Sequence, residues 1–368
     1  MSDLNDLQQT PLQPIGRELT PPSSTAPRFS PMLQGTATNQ FRLTATKNIV
    51  IDRNGNATID NKGFKAFMKG YTQLKGGLNI GAKKLLDIGS MKLATNNHFR
   101  SKEGQRLETS VAISLEEYGR MRGYDLVPRK TTTPEEEEAE KTRITSIMHN
   151  IRKRANSELE LLFSLSLSWT EPGKRKNADY TDVRVLQSKG IKGGYILMRF
   201  SEDMADYLSH AFIMQYPLAL QGVDERNPRT YNIGYKLAFH HGMDSNRANG
   251  TNNIISVSAL LEACGDMPTF EEIQTSTNRG HWERLIKDPL EKVLDTLQAD
   301  GVIQQWEYCN SKGKPLEDMQ ASIADYHTFT RLYIFFTMEG EPDQSERLQR
   351  KAERKYTRMR SAASKKKD

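Results

Sequence analysis

The sequence predicts an α+β fold in which one element order occurs twice: helix, short strand, helix, helix, then hairpin. Two observations carry this. A short apolar segment, a capping Ser, a brief helix and a Gly stop occur at Ser110–Gly123 and again at 253–265. Each copy is followed by a long stretch with helical apolar spacing and then by alternating segments that read as strands. The reading divides the 368 residues into a disordered tail (1–40), an N-terminal domain (41–200), a C-terminal domain (201–345) and a basic tail (346–368).

The first forty residues hold Pro11, Pro14, Pro21, Pro22, Pro27 and Pro31 among Ser, Thr and Gln. Proline removes backbone donors and such side chains cannot build a core, so order is expected from Phe41. Arg53-Asn54-Gly55-Asn56 lies between Ile49-Val50-Ile51 and Ala57-Thr58-Ile59, a hairpin signal because the turn needs positive φ. Ile80, Lys84, Leu85, Ile88, Met91 and Leu93 space a helix over 80–95. Residues 107–113 alternate as a strand. Ser114 with Glu117 then forms a capping box that opens a helix closed at Gly123.

Glu135 to Glu138 after Pro134, and Arg152-Lys153-Arg154 some turns on, match opposite poles of a helix dipole. With Ile144, Ile147, Met148 and Ile151 on one stripe, they predict a helix over 136–155. Residues 161–169, Val183, Val185 and 195–200 read as strands, with Lys174-Arg175-Lys176 at a basic turn between them.

In the second half, 201–219 and 230–241 read as helices, followed by the second copy of the capped motif. Trp282, Leu285, Ile286, Leu290, Val293, Leu294 and Leu297 share a face over 279–299, where Pro289 starts a new segment or kinks the helix. Strands follow at 302–308 and 331–338. This order is that of the winged helix, a helix-turn-helix with a β-hairpin appended, so two winged-helix domains are expected.

Charge sharpens the reading. The net charge of +6 conceals −1 over residues 1–41, +9 over 42–130, −9 over 131–345 and +7 over 346–368. Local single-sign surface, not the total, sets a field that attracts polyanions. Two cysteines, Cys264 and Cys309, exclude a disulfide framework and a four-cysteine zinc site. No run of about 18 apolar residues exists, so no membrane partner is expected. With no basic-then-apolar leader, the expected location is the cytoplasm. No phosphate-binding loop, dinucleotide turn or nucleophile elbow is present. His240 and His241 near Asp244 point about 100° apart on a helix and do not suit one metal ion. The expectation is a protein without catalytic residues, metal or cofactor.

Three sets of residues suit DNA. On the long helix, Arg143, His149, Arg152, Lys153 and Arg154 combine cations with groups able to reach base edges. At the basic turn, the expected wing tip, Lys174, Arg175 and Lys176 repel one another and suit phosphate or the minor groove. In the second half, Asn278, Arg279, His281, Arg284 and Lys287 stand at the start of a helix, where Asn and Arg suit adenine and guanine edges. The tail from Arg347 to Lys367 suits any polyanion.

Gly81-Ala82-Lys83-Lys84-Leu85-Leu86-Asp87, Val111-Ala112-Ile113-Ser114-Leu115-Glu116-Glu117-Tyr118, the stretch from His281 to Leu290 and Trp306-Glu307-Tyr308 resemble replication initiator proteins of plasmids and related mobile elements from Gram-positive gut bacteria. They are also broadly similar to plasmid initiators built from two winged-helix domains. The resemblance covers about residues 60–345. It implies double-stranded DNA with repeated origin sites as partner, local strand opening, and recruitment of host helicase and polymerase. It also implies a monomer–dimer balance in which the dimer represses its own gene. Two other classes fit the residues: a winged-helix transcriptional regulator, and a relaxase- or integrase-like strand-transfer enzyme. The sequence shows no ligand-sensing domain for the first and no clustered Tyr with metal ligands for the second.

Overall fold

A computed structural model describes residues 28–44, 49–61, 63–74, 78–97, 108–171, 178–277, 280–316, 323 and 325–339. Order begins earlier than expected. Within the segment assigned to a disordered tail, Phe29–Gln34 forms strand β1, and helix α1 (Thr36–Leu43) follows. Proline counting misses these because Met32, Leu33 and Phe41 are fully buried, and the strand that completes β1 lies far along the chain.

The expected hairpin forms from β2 (Ile49–Ile51) and β3 (Ala57–Asn61), with Gly55 at φ +76 and Asp52 accepting from the Asn54 and Asn56 amides. After β4 (Phe64–Met68) come α2 (Ile80–Asn96), capped by Asn79 at 2.9 Å, and β5 (Ser110–Ser114). Ser114 then caps α3 (Leu115–Met121), which stops before Gly123 at φ +77. Glu117, the expected reciprocal cap, instead pairs with buried Lys92 at 2.8 Å.

Helix α4 (Pro134–Ser164) is longer than 136–155. A Thr133–Glu136 capping box with Pro134 in the first turn fixes its start. Ile151, Ala155, Leu159 and Leu162 carry the buried stripe through residues that also alternate as a strand would, so helical burial overrides the period-two pattern. Burial of each large apolar side chain stabilises this end by roughly 1.5–3 kcal/mol. Strands β6 (Leu165–Glu171), β7 (Ala178–Arg184), β8 (Leu186–Lys192) and β9 (Tyr195–Phe200) complete the first half.

These strands belong to two antiparallel sheets. One has the order β5-β9-β8 and, with α2, α3 and α4, forms the first repeated unit. The other, β2-β3-β4-β6-β7, stands beside it. Residues 174–176 lie outside the described residues, in the chain between β6 and β7 of the second sheet and not within the hairpin of the repeated unit. That hairpin is β8–β9, turning at Gly193 and Gly194.

The segment 201–219 is not one helix. Helix α5 (Glu202–His210) gives way to β10 (Phe212–Pro217), which pairs antiparallel with β1. The second unit follows: α6 (Pro228–Gly242), a short α7 (Asp244–Ala248), β11 (Ile254–Ser256), α8 (Val257–Cys264) capped by Ser256, and α9 (Phe270–Thr275). A π-turn at Glu283–Lys287 leads into α10 (Asp288–Ala299), then β12 (Ile303–Cys309), α11 (Tyr326–Thr330) and β13 (Tyr333–Met338). The π-turn stands directly before Pro289, whose missing N–H and ring clash disfavour the regular bond to residue 285. Its sheet order, β11-β13-β12, repeats that of the first unit.

A buried polar network holds the two units together. Asp87 on α2 accepts from Arg42 of α1 and, at 2.8 Å, from Tyr231 of α6; the Arg42 and Asp87 side chains are wholly buried. Lys84 donates to the Gln221 and Val223 carbonyls at 2.8 and 2.6 Å. Burial, then the neighbouring Arg122 and Arg154, pushes the Lys84 ammonium down to about 6. Glu158 of α4 accepts from Arg122 at 3.0 Å, Arg154 at 3.1 Å and Tyr118 at 2.7 Å. Glu225, between the units, pairs with Arg122 and Arg154. Gly81 packs against Glu158 so closely that a Cβ would stand 2.1 Å from its carboxylate.

Candidate nucleic-acid interface

Helix α4 has 31 residues and extends about 46 Å. Its C-terminal half is packed into the core, while Lys141, Thr145, Ser146, His149, Asn150, Arg152, Lys153 and Asn156 are exposed. Spacings of three and four place them along one side. From Lys141 to Asn156 the rise is about 22 Å, against a major groove about 12 Å wide, so such a face can present both base-reaching and phosphate-reaching groups. His149, Arg152 and Lys153 are in no hydrogen bond or ion pair among the described residues.

Two expected members of the set are held within the fold. Arg143 donates to the Asp125 and Val127 carbonyls, both at 2.9 Å, and forms a bidentate pair with Glu140 at 2.8 and 2.7 Å. It fastens the segment after α3 to α4. The same guanidinium, with the Arg129 amide, holds the Glu140 carboxyl down at about 2. Arg154 is tied to Glu158, Glu225 and Tyr124. Their intramolecular carboxylate partners compete with any phosphate, so both are structural side chains in this state.

The turn residues Lys174, Arg175 and Lys176, together with Asn278 and Arg279, lie outside the described residues, as does the tail beyond 339. In the second unit His281 and Arg284 are exposed at the entry to α10, whereas Lys287 pairs with Asp288 and Glu291 at 3.3 and 3.5 Å. The exposed positions that follow on α10 include Asp288, Lys292, Asp295 and Gln298, a mixed row that is less attractive to a polyanion than the α4 face.

Sequence reasoning missed a groove of about 1860 Å³ between the C-terminal half of α4 and the outer face of the five-stranded sheet. Thr58, Lys65, Phe67, Lys69, Ser166, Ser168 and Arg184 form its floor, and Asn150, Lys153, Asn156 and Phe163 its wall. The signal was present at β4, where Lys65, Phe67 and Lys69 alternate with the buried Phe64, Ala66 and Met68.

His240 and His241 each find partners within the fold. His240 Nε2 lies 3.0 and 2.8 Å from the Thr251 and Ile254 carbonyls, and His241 Nδ1 lies 3.0 Å from Asn253 Oδ1. His241 is buried, so neither imidazole is a free solvated group. Cys264 and Cys309 are free buried thiols, pushed up by burial to about 12 and about 11. Among the described residues no three His, Cys, Asp or Glu side chains cluster as a metal site, and no helix is long and apolar enough to cross a membrane.

No family model matches the chain, and no curated protein matches it in sequence. Among solved structures it is similar to the Pi initiator protein in complex with iteron DNA, at 13% identity and a TM-score of 0.43, over 77% of this chain and 100% of that one.

Proposed function

We propose that this chain is a DNA-binding replication initiator built from two winged-helix modules, which recognises repeated duplex sites at an origin and has no catalytic step of its own. The observation that carries the reading is the repeated unit. Two copies that run helix, strand, helix and then further helix share the sheet orders β5-β9-β8 and β11-β13-β12, and the long helix of the first copy presents unpaired cations on an exposed polar face. In this reading α4 enters a major groove, with His149 and Asn150 toward base edges and Arg152 and Lys153 toward phosphate. The β8–β9 hairpin is the wing of that module. His281 and Arg284 of the second module approach a second stretch of the site. Lys174, Arg175, Lys176, Asn278, Arg279 and the basic tail add contacts that position the protein.

Host helicase and initiator proteins, and a second copy of the chain, are the proposed protein partners. A plasmid or mobile element in the cytoplasm is the proposed setting. DNase footprinting of the full chain on DNA flanking its own gene tests the reading. Discrete, regularly repeated protected sites are expected. Uniform coating that vanishes with modest salt would reduce the protein to a nonspecific binder.

A further inference from the structure

We propose that the groove between α4 and the five-stranded sheet is a binding site for an unpaired DNA strand. Its lining fits a polyanion. Lys69, Lys153 and Arg184 have no ion pair among the described residues, and Lys65 meets only the exposed Asp60 at 3.0 Å. Of the acids in the lining, Glu158 is held by Arg122 and Arg154, and Glu160 by Lys189, which leaves Asp182.

The aromatic groups distinguish a single strand from a duplex. Phe67 faces the groove from β4 in a cross-strand row of Thr58, Phe67, Ser166 and Arg184. Its neighbours on the row are small or polar, so the ring stands on a polar sheet face with Lys65 and Lys69 two residues to either side. Phe163, 38% exposed, faces the same groove from α4, with the Lys189 ammonium 5.4 Å from its ring centre. Paired bases inside a duplex cannot offer their faces to such rings. Unpaired bases can, and cations beside stacking rings are how a single strand is held without sequence choice. Asn54, Asn150 and Asn156 supply amides along the same path, while the Asn56 amide is held by Asp52 and Gly70. The site rests on the reading above only for DNA as the source of the strand: the groove continues the exposed face of α4, so a strand opened beside the bound duplex would meet it.

The test is fluorescence anisotropy of the full chain with a labelled dT 15-mer, an rU 15-mer of equal length and an origin duplex. Saturable dT binding is expected, weakened at least about five-fold by Phe67→Leu, the loss of one stacked base. Duplex affinity should not change, because Phe67 is outside the face assigned to the duplex. Lys69→Ala with Arg184→Ala should lower the slope of log affinity against log salt for dT by about 1.4. No dT binding, tighter binding of rU, or equal weakening of duplex and dT by Phe67→Leu would each overturn the proposal. Failure of the duplex reading registers separately, as duplex affinity that does not respond to Arg152→Ala and Lys153→Ala.

Discussion

Replacing Asp87 with Asn removes the counter-charge of a guanidinium that has no access to water. Arg42 and Asp87 are both fully buried; Arg42 also donates to Ser90 at 3.2 Å and stands 5.5 Å from the Tyr235 ring centre. Arginine cannot shed its proton, so Asp87→Asn strands a buried charge and is expected to cost about 3–5 kcal/mol. Arg42→Met acts differently. Burial already pushes the Asp87 carboxyl up, and it can take a proton once the cation is gone. Its cost should therefore shrink as the pH is lowered, whereas that of Asp87→Asn, which removes the titrating carboxyl from the parent, should not. The double variant Arg42→Met/Asp87→Leu removes both charges and should lose much less than the sum. Urea unfolding read by tryptophan fluorescence follows the N-terminal half through Trp169, in the five-stranded sheet beside the first unit, and the second unit through Trp282 and Trp306. Because Tyr231 of the second unit donates to Asp87, both signals should move. Additive losses in the double variant would refute the pairing, and a shift confined to Trp169 would refute its role in joining the units.

Lys84 gives a pH dependence of stability. Its folded value, pushed down to about 6, lies below about 10.4 for an unfolded lysine. Its contribution is thus fully present above about pH 10.4 and is lost as the pH falls to about 6. Urea unfolding at pH 6 and 9 should show a smaller difference for Lys84→Met than for the parent chain. Glu140, held down at about 2 by Arg143, contributes above about pH 4.5 and loses this as the pH falls toward 2; hydrogen exchange of residues 125–129 should quicken over that interval. Gly234 sits where a Cβ would stand 2.7 Å from Leu220 and 2.8 Å from Leu297, so Gly234→Ala should overpack the second unit by about 1–3 kcal/mol in the same urea assay.

Local chemistry made much of the fold legible. The Asn-Gly hairpin, the capped motif at Ser114 and Ser256, and the acidic start of α4 all follow from residues within a few positions of one another. What sequence reading missed depends on distant partners. β1 has no strand character without β10, and 212–217 reads as helix until β1 is placed beside it. The second sheet joins β2, β3 and β4 to β6 and β7, which flank the first unit's helices in the chain, so the segment 174–176 falls outside that unit's wing although its charge suits one. In the candidate interface, exposure could not be read from charge. Arg152 and Arg154 are two residues apart, yet the first faces water and the second is bound to Glu158 and to Glu225 from beyond the unit.

The contrast between those two arginines leads to the measurement that tests the central reading most directly. Origin-duplex affinity is titrated against salt for the parent chain, Arg152→Ala/Lys153→Ala and Arg154→Ala, with urea stability measured on the same samples. If α4 meets DNA through its exposed face, the double variant binds at least tenfold more weakly at unchanged stability. Its salt slope should also be lower by about 1.8, the loss of two phosphate contacts. Arg154→Ala, which leaves Glu158 and Glu225 short of a donor, should instead lose about 1–3 kcal/mol of stability. Duplex affinity and salt slope unchanged in the double variant would contradict the account.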